Sequence, residues 1–138
     1  MEAYKHQVHY YETDKMGFVH HSNYIRWFEE ARTYFFEVIG APYTLTESYG
    51  IISPVLSVEC SYKKSCYYGE TVLIRVTLEK VDNVRFYVSY KVTSQDGELR
   101  AEGSSSHCFL DRNGRVVSLR RARPELFSKL KEFEGVTV

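Results

Sequence analysis

The sequence predicts an α+β domain in which one long helix lies against a single antiparallel sheet. Apolar residues recur at steps of three and four over one stretch near the amino end, as in a helix with one buried face. From Gly50 onward the recurrence changes to two, the period of strands with one face turned inward. Two pairs, Asp96-Gly97 and Asn113-Gly114, are hairpin signals between such strands.

Taken in order, Lys5 to Tyr11 reads as a first strand, alternating loosely until Glu12-Thr13-Asp14 breaks it. In the helix that follows, Tyr24, Trp27, Phe28, Ala31, Tyr34, Phe35 and Val38 share a face, while Arg26, Glu29, Glu30, Thr33 and Glu37 lie off it. Ser22 or Asn23 can cap its start, and Gly40 with Pro42 ends it. At about 17 residues it is roughly 25 Å long. Leu45 to Tyr49 adds one more short turn of helix. Leu56, Val58, Cys60 and Tyr62 alternate with polar neighbours, as do Val72, Ile74, Val76 and Leu78, and Phe86, Val88, Tyr90 and Val92 continue the series. Asp96-Gly97 leads into a strand from Leu99 to Asp111, and Asn113-Gly114 into another from Arg115 to Leu119. Pro124, at a first helical position, opens a short amphipathic helix carrying Leu126, Phe127, Leu130 and Phe133. The count is about five or six strands. One sheet with one helix layer leaves its other face and its edges open, and 15% aromatic residues is high for a surface in water, so association with further copies is expected.

At 138 residues the chain suits one domain, spanning 1–138, with a sizeable core. Eighteen basic and eighteen acidic side chains cancel without a block of like charge, which argues against a nucleic-acid partner or a polybasic membrane anchor. No apolar run approaches the roughly 20 residues of a membrane span, and the amino end lacks a signal-peptide core, so a cytoplasmic protein is expected. Cys60, Cys66 and Cys108 match no CxxC-type spacing and read as reduced thiols.

Chemistry concentrates in the fifteen residues from Tyr10 to Tyr24, which place a carboxylate, a glycine and a histidine between the first strand and the helix. A helix start offers N–H groups without intrahelical partners and a partial positive charge, and so can hold an oxyanion or a polarised carbonyl. Asp14 and His21 sit beside it as candidate nucleophile, base or orienter.

The pattern Tyr-x-Glu-Thr-Asp-x-x-Gly-x-Val-x-His-x-x-Tyr, Tyr10 through Tyr24, resembles the acyl-CoA thioesterases of the hotdog fold, in which one long central helix is wrapped by an antiparallel sheet. The branch most like it is the 4-hydroxybenzoyl-CoA thioesterase-like group, which includes short-chain acyl-CoA thioesterases associated with the Tol-Pal system. The continuation Arg26-Trp27-Phe28-Glu29-Glu30-Ala31-Arg32 and the order of elements extend the likeness over nearly the whole chain. The resemblance implies that Asp14 is the catalytic carboxylate, attacking the thioester carbonyl or activating water. It implies that His21 donates its backbone N–H to the thioester oxygen, its ring orienting substrate or water. Tyr10 and Tyr24 match aromatic positions lining the pocket, and Gly17, Val19 and His20 fall among the substrate-binding positions. It further implies an acyl-CoA or acyl carrier protein thioester as substrate, no cofactor, no metal, and a homodimer or homotetramer with sites between subunits. His20 departs from the aromatic residue common at its position. The benzoyl-type enzymes commonly lack the histidine at position 21, which places the chain nearer the aliphatic branch.

Plainer readings stand beside these. Asp14 alone would be a turn former, and His20 and His21 with His9 could be metal ligands or cap-region groups, though adjacent residues rarely face one centre. Lys63, Lys64, Lys80 and Arg85 could meet coenzyme A phosphates or be solvated charges. A non-catalytic acyl-CoA-binding module is the alternative from another class. A hydroxyacyl-thioester dehydratase is disfavoured, because it places its carboxylate on the helix and its histidine on a loop.

Overall fold

In the computed structural model, which describes residues 2–138, the first strand is only four residues long, β1 (Tyr4–Gln7), and Met1 of the expected domain lies outside the described residues. The expected strand to Tyr11 is cut short for a local reason. The Glu12 carboxylate accepts the His9 N–H at 2.8 Å, and the chain winds into a 3-10 turn over Tyr10–Glu12 instead of running on.

Helix α1 (Ser22–Val38) has the expected length of 17 residues. Tyr24, Trp27, Phe28, Ala31 and Phe35 are buried on its inner face, as the period predicted; Phe36 and Arg32 are buried as well, and Val38 is exposed. No side-chain cap forms, because the two expected caps are used otherwise. Ser22 bonds the His20 ring, and the Asn23 amide reaches back to the carbonyls of Glu12 and His20. A short helix α2 (Tyr43–Ser48) follows.

The sheet comprises β1, β2 (Val55–Tyr62), β3 (Thr71–Val81), β4 (Arg85–Ser94) and β5 (Leu99–Cys108), in the order β1-β3-β4-β5-β2 with every neighbouring pair antiparallel. Val72, Ile74, Val76 and Leu78 of β3 and Phe86, Val88, Tyr90 and Val92 of β4 turn inward onto α1. Phe28 lies flat on Tyr90, ring centres 4.3 Å apart and planes within 6°, because Gly103 in β5 leaves room for it. A Cβ there would come within 2.6 Å of the Phe28 ring. Replacing a ring so enclosed by a methyl costs about 3–5 kcal/mol.

The sixth strand expected at Arg115–Leu119 does not form. The Asp111 carboxylate takes the N–H groups of Asn113 and Arg115, which tightens the turn and leaves one bridge, Leu110 to Val116. The chain then enters α3 (Leu119–Ala122) and α4 (Pro124–Glu132), and its final residues pair with β3, Val138 exchanging two bonds with Val76. The tail thus continues the β1 side of β3 past the end of β1, and β2 is the edge strand on the opposite side of the sheet. One long helix against a five-stranded antiparallel sheet is the hotdog architecture.

Candidate active site

Between Thr13 and Val19, which bridge each other, the chain makes a closed loop. The Asp14 N–H donates to the Phe18 carbonyl at 2.9 Å, and Oδ1 of Asp14 accepts the Met16 N–H at 2.8 Å. Gly17 closes the turn at a φ of 90°, a conformation that favours glycine. The Val19 N–H then ties the loop to the Cys66 carbonyl, and the His20 N–H to that of Glu12. The loop thereby enters α1 at a fixed angle. Among the described residues Oδ2 of Asp14 accepts no hydrogen bond, and the His21 N–H, at the cap position of α1, donates to no group.

Asp14 and His21 both belong to the wall of one cavity of about 290 Å³, whose lining is completed by Phe18, Val19, Tyr24, Tyr62, Lys63, Lys64 and Ser65. Four of the residues singled out from the sequence, Asp14, Val19, His21 and Tyr24, therefore share a wall space, and Lys63 and Lys64 stand at it too. Tyr10, Gly17 and His20 are absent from the lining. Tyr10 is 75% exposed with its ring edge against Tyr68, and Gly17 serves the turn. The His20 ring is tilted against that of His21, centres 4.2 Å apart, while its Nδ1 accepts the Ser22 N–H, which places the proton of a neutral ring on Nε2. Lys80 and Arg85 lie outside the lining as well.

Tyr62, Ser65 and Phe18 join the site without having been singled out. Tyr62 ends β2 and holds the head of α1 by its hydroxyl, and Ser65 is fixed by Arg100, whose guanidinium donates to the Ser65 carbonyl at 2.7 Å and grips Glu70 with two bonds. The lysines are not free charges: Lys64 pairs with Glu98 at 2.8 Å and Lys63 approaches Glu102 at 3.9 Å. Burial pushes the Tyr24 phenol and the Cys66 thiol above their ordinary values, so neither supplies an anion near neutral pH. The cavity is left with one carboxylate at its edge.

His9 meets His6 and Glu12, not His20 and His21. One ligand-type atom from each lies within 4.8 Å of the others. Both oxygens of the Glu12 carboxylate are engaged, by His6, the His9 N–H and the Trp27 indole, so the group works as a hydrogen-bonded clamp behind the loop.

A carboxylate oxygen and a helix-start N–H, each without a protein partner and on residues that line one cavity, are parts of the kind that acyl transfer to water uses. The comparisons with known proteins agree with this class. The family model described as the thioesterase-like superfamily matches residues 8–134, and the chain belongs to that superfamily. YneP of Bacillus subtilis (strain 168), described as a candidate acyl-CoA thioesterase, is 35% identical over 120 residues, covering 86% of this chain and 87% of its own. The 1,4-dihydroxy-2-naphthoyl-CoA hydrolase of Thermosynechococcus vestitus is 24% identical over 111 residues, 80% of this chain and 76% of its own. The crystal structure of a DHNA-CoA thioesterase from Staphylococcus aureus superposes with a TM-score of 0.87 at 34% identity, covering 95% of this chain and 91% of that one. The chain is a hotdog-fold enzyme of the thioester-hydrolase class.

Proposed function

We propose that the protein hydrolyses acyl-CoA thioesters to a free acid and coenzyme A. The observation that carries this is the cavity that Asp14 and His21 line together, with the His21 N–H unpartnered at the head of α1. The carbonyl oxygen of a thioester held there accepts from the His21 N–H, while the Asp14 carboxylate takes a proton from water as the water adds to the carbonyl carbon, or adds itself to form an anhydride that water later opens. In either case the C–S bond breaks and coenzyme A departs as a thiolate, which needs little acid assistance. Lys63, Lys64 and Ser65, where β2 runs out, suit the phosphates and pantetheine arm. An acyl carrier protein thioester reaches the cavity by the same arm.

The motif's likeness to the Tol-Pal-associated group favours a short aliphatic acyl chain, whereas the relatives acting on dihydroxynaphthoyl-CoA favour an aromatic one. The working form is a homodimer or homotetramer. Val55, Leu56, Val58 and Tyr62 of the open edge strand are 50, 49, 41 and 49% exposed, more apolar surface than an unpartnered edge carries comfortably.

Release of free thiol from a panel of aliphatic and aromatic acyl-CoA thioesters tests the proposal, with Asp14→Asn as its control. The variant keeps the shape of the side chain, removes its charge, and is expected to hydrolyse at least about 10²-fold more slowly while still binding acyl-CoA. A folded Asp14→Asn protein at the parent rate would remove Asp14 from the mechanism. A parent that binds acyl-CoA and hydrolyses no panel member would be a binding module.

A further inference from the structure

Glu12 takes three hydrogen-bond contacts at its carboxylate, near the cavity but without lining it. It is 4% exposed. Burial by itself raises its carboxyl, but the His9 N–H, the Trp27 indole and the His6 ring together hold it below the ordinary carboxylate range. Oε1 accepts from the His9 N–H and lies 2.8 Å from Nε2 of His6, while Oε2 accepts from the Trp27 indole at 2.7 Å. The main-chain oxygen of the same residue accepts the His20 N–H at 2.8 Å and the Asn23 amide at 2.9 Å.

Glu12 thus grips the end of β1 and the buried face of α1 with its carboxylate, and the head of α1 with its carbonyl. Asp14 is two residues downstream, and His21 follows directly on His20. We propose that Glu12 is the positioning residue of this site, fixing where the Asp14 carboxylate stands relative to the His21 N–H. The inference rests on the acyl-CoA hydrolysis reading above. Its physical basis is that a buried carboxylate held at both oxygens by three donors resists displacement, since each lost donor leaves charge unpaired away from water. Reacting groups displaced by about 1 Å can cost on the order of 10²-fold in rate with binding little changed.

Steady-state kinetics of the parent, Glu12→Gln, Asn23→Ala and Asp14→Asn test this, with coenzyme A binding measured by calorimetry. Glu12→Gln keeps the volume and turns an amide NH₂ toward donors, so the clamp loses at least one contact. A fall in kcat of about 10- to 100-fold, with KM and coenzyme A affinity within about threefold of the parent, is expected. Asn23→Ala cuts the same clamp at the carbonyl without touching the buried charge, so it lowers kcat in the same sense by about 3- to 10-fold and decides the matter should Glu12→Gln not fold. Folded variants that lose thermal stability alone, or that change KM alone, overturn the inference. Asp14→Asn separates the two possible failures. A parent-like rate in that variant overturns the role of Asp14 and this inference with it, whereas a crippled Asp14→Asn beside parent-like Glu12→Gln and Asn23→Ala overturns this inference only.

Discussion

The hydroxyl of Tyr62, the last residue of β2, donates to the main-chain oxygen of His21 at the head of α1, 3.1 Å away. The β2 edge of the sheet is thereby joined to a residue of the cavity wall. Tyr62→Phe keeps the ring that packs edge-on against Tyr24 at 5.1 Å and removes only this bond. A fall in kcat of about three- to tenfold, the worth of one such bond, is expected in thiol-release assays. An unchanged kcat would show that the bond does not hold the helix head.

At position 21 the main chain and the ring can be tested apart. His21→Ala keeps the N–H and is expected to lower turnover less than Asp14→Asn does. His21→Pro removes the N–H at a residue whose φ of −55° suits proline, and loss of one oxyanion donor is expected to cost about 10²- to 10³-fold in kcat. Near-complete loss in a folded His21→Ala protein would make the imidazole the base instead.

His107 sets an acid limit to stability. It is fully buried, its ring stacked on Phe86, with Nε2 2.8 Å from the Ser105 hydroxyl. Burial, aided by the nearby charge of Arg32, pushes its imidazole down to about 4 from an ordinary 6.5. Between those values the unfolded chain binds a proton that the folded chain refuses. The neutral-pH stability is therefore present above about pH 6.5 and drains away as the pH falls toward 4, by about 3 kcal/mol at most. Denaturant titrations of the parent and His107→Gln across that window should diverge in slope, and parallel curves would refute the assignment.

Light scattering at micromolar concentration is expected to find a dimer or larger. Val58→Lys places a charge in the middle of the exposed β2 edge and should shift the protein toward monomer, with turnover falling in parallel. A parent that is monomeric and active would remove the edge-pairing model.

How far the sequence could be read depended on how local the cause was. The span of α1 was legible because its apolar face repeats for four turns, β4 because it alternates throughout, and β3 because it alternates as far as the bulge after Leu78. The strand after Asn113-Gly114 was misread because the Asp111 carboxylate, two residues before Asn113, takes the N–H groups that a ladder would need. Asp14 and His21 stood out at the junction of strand and helix, and Tyr24 only through the motif's likeness to a known family, yet Tyr62 and Ser65 did not. Their place at the cavity follows from β2 pairing with β5 at the far end of the sheet order, which no short window contains. Glu12 read as a strand breaker. Its clamp is assembled from His6 six residues before it and Trp27 fifteen after, and only folding brings these donors to one carboxylate.

Trp27 is the single tryptophan of the chain, wholly buried, with its ring centre 4.8 Å from that of Tyr24 and 4.8 Å from that of His6. Tyr24 forms part of the cavity wall, so whatever enters disturbs a neighbour of the indole before any bond is broken. The molecule thus carries its own optical reporter, since indole emission excited beyond the absorption of its twelve tyrosines comes from one known position and requires no label. Rapid mixing followed at that wavelength would time the arrival of a thioester separately from the appearance of its thiol.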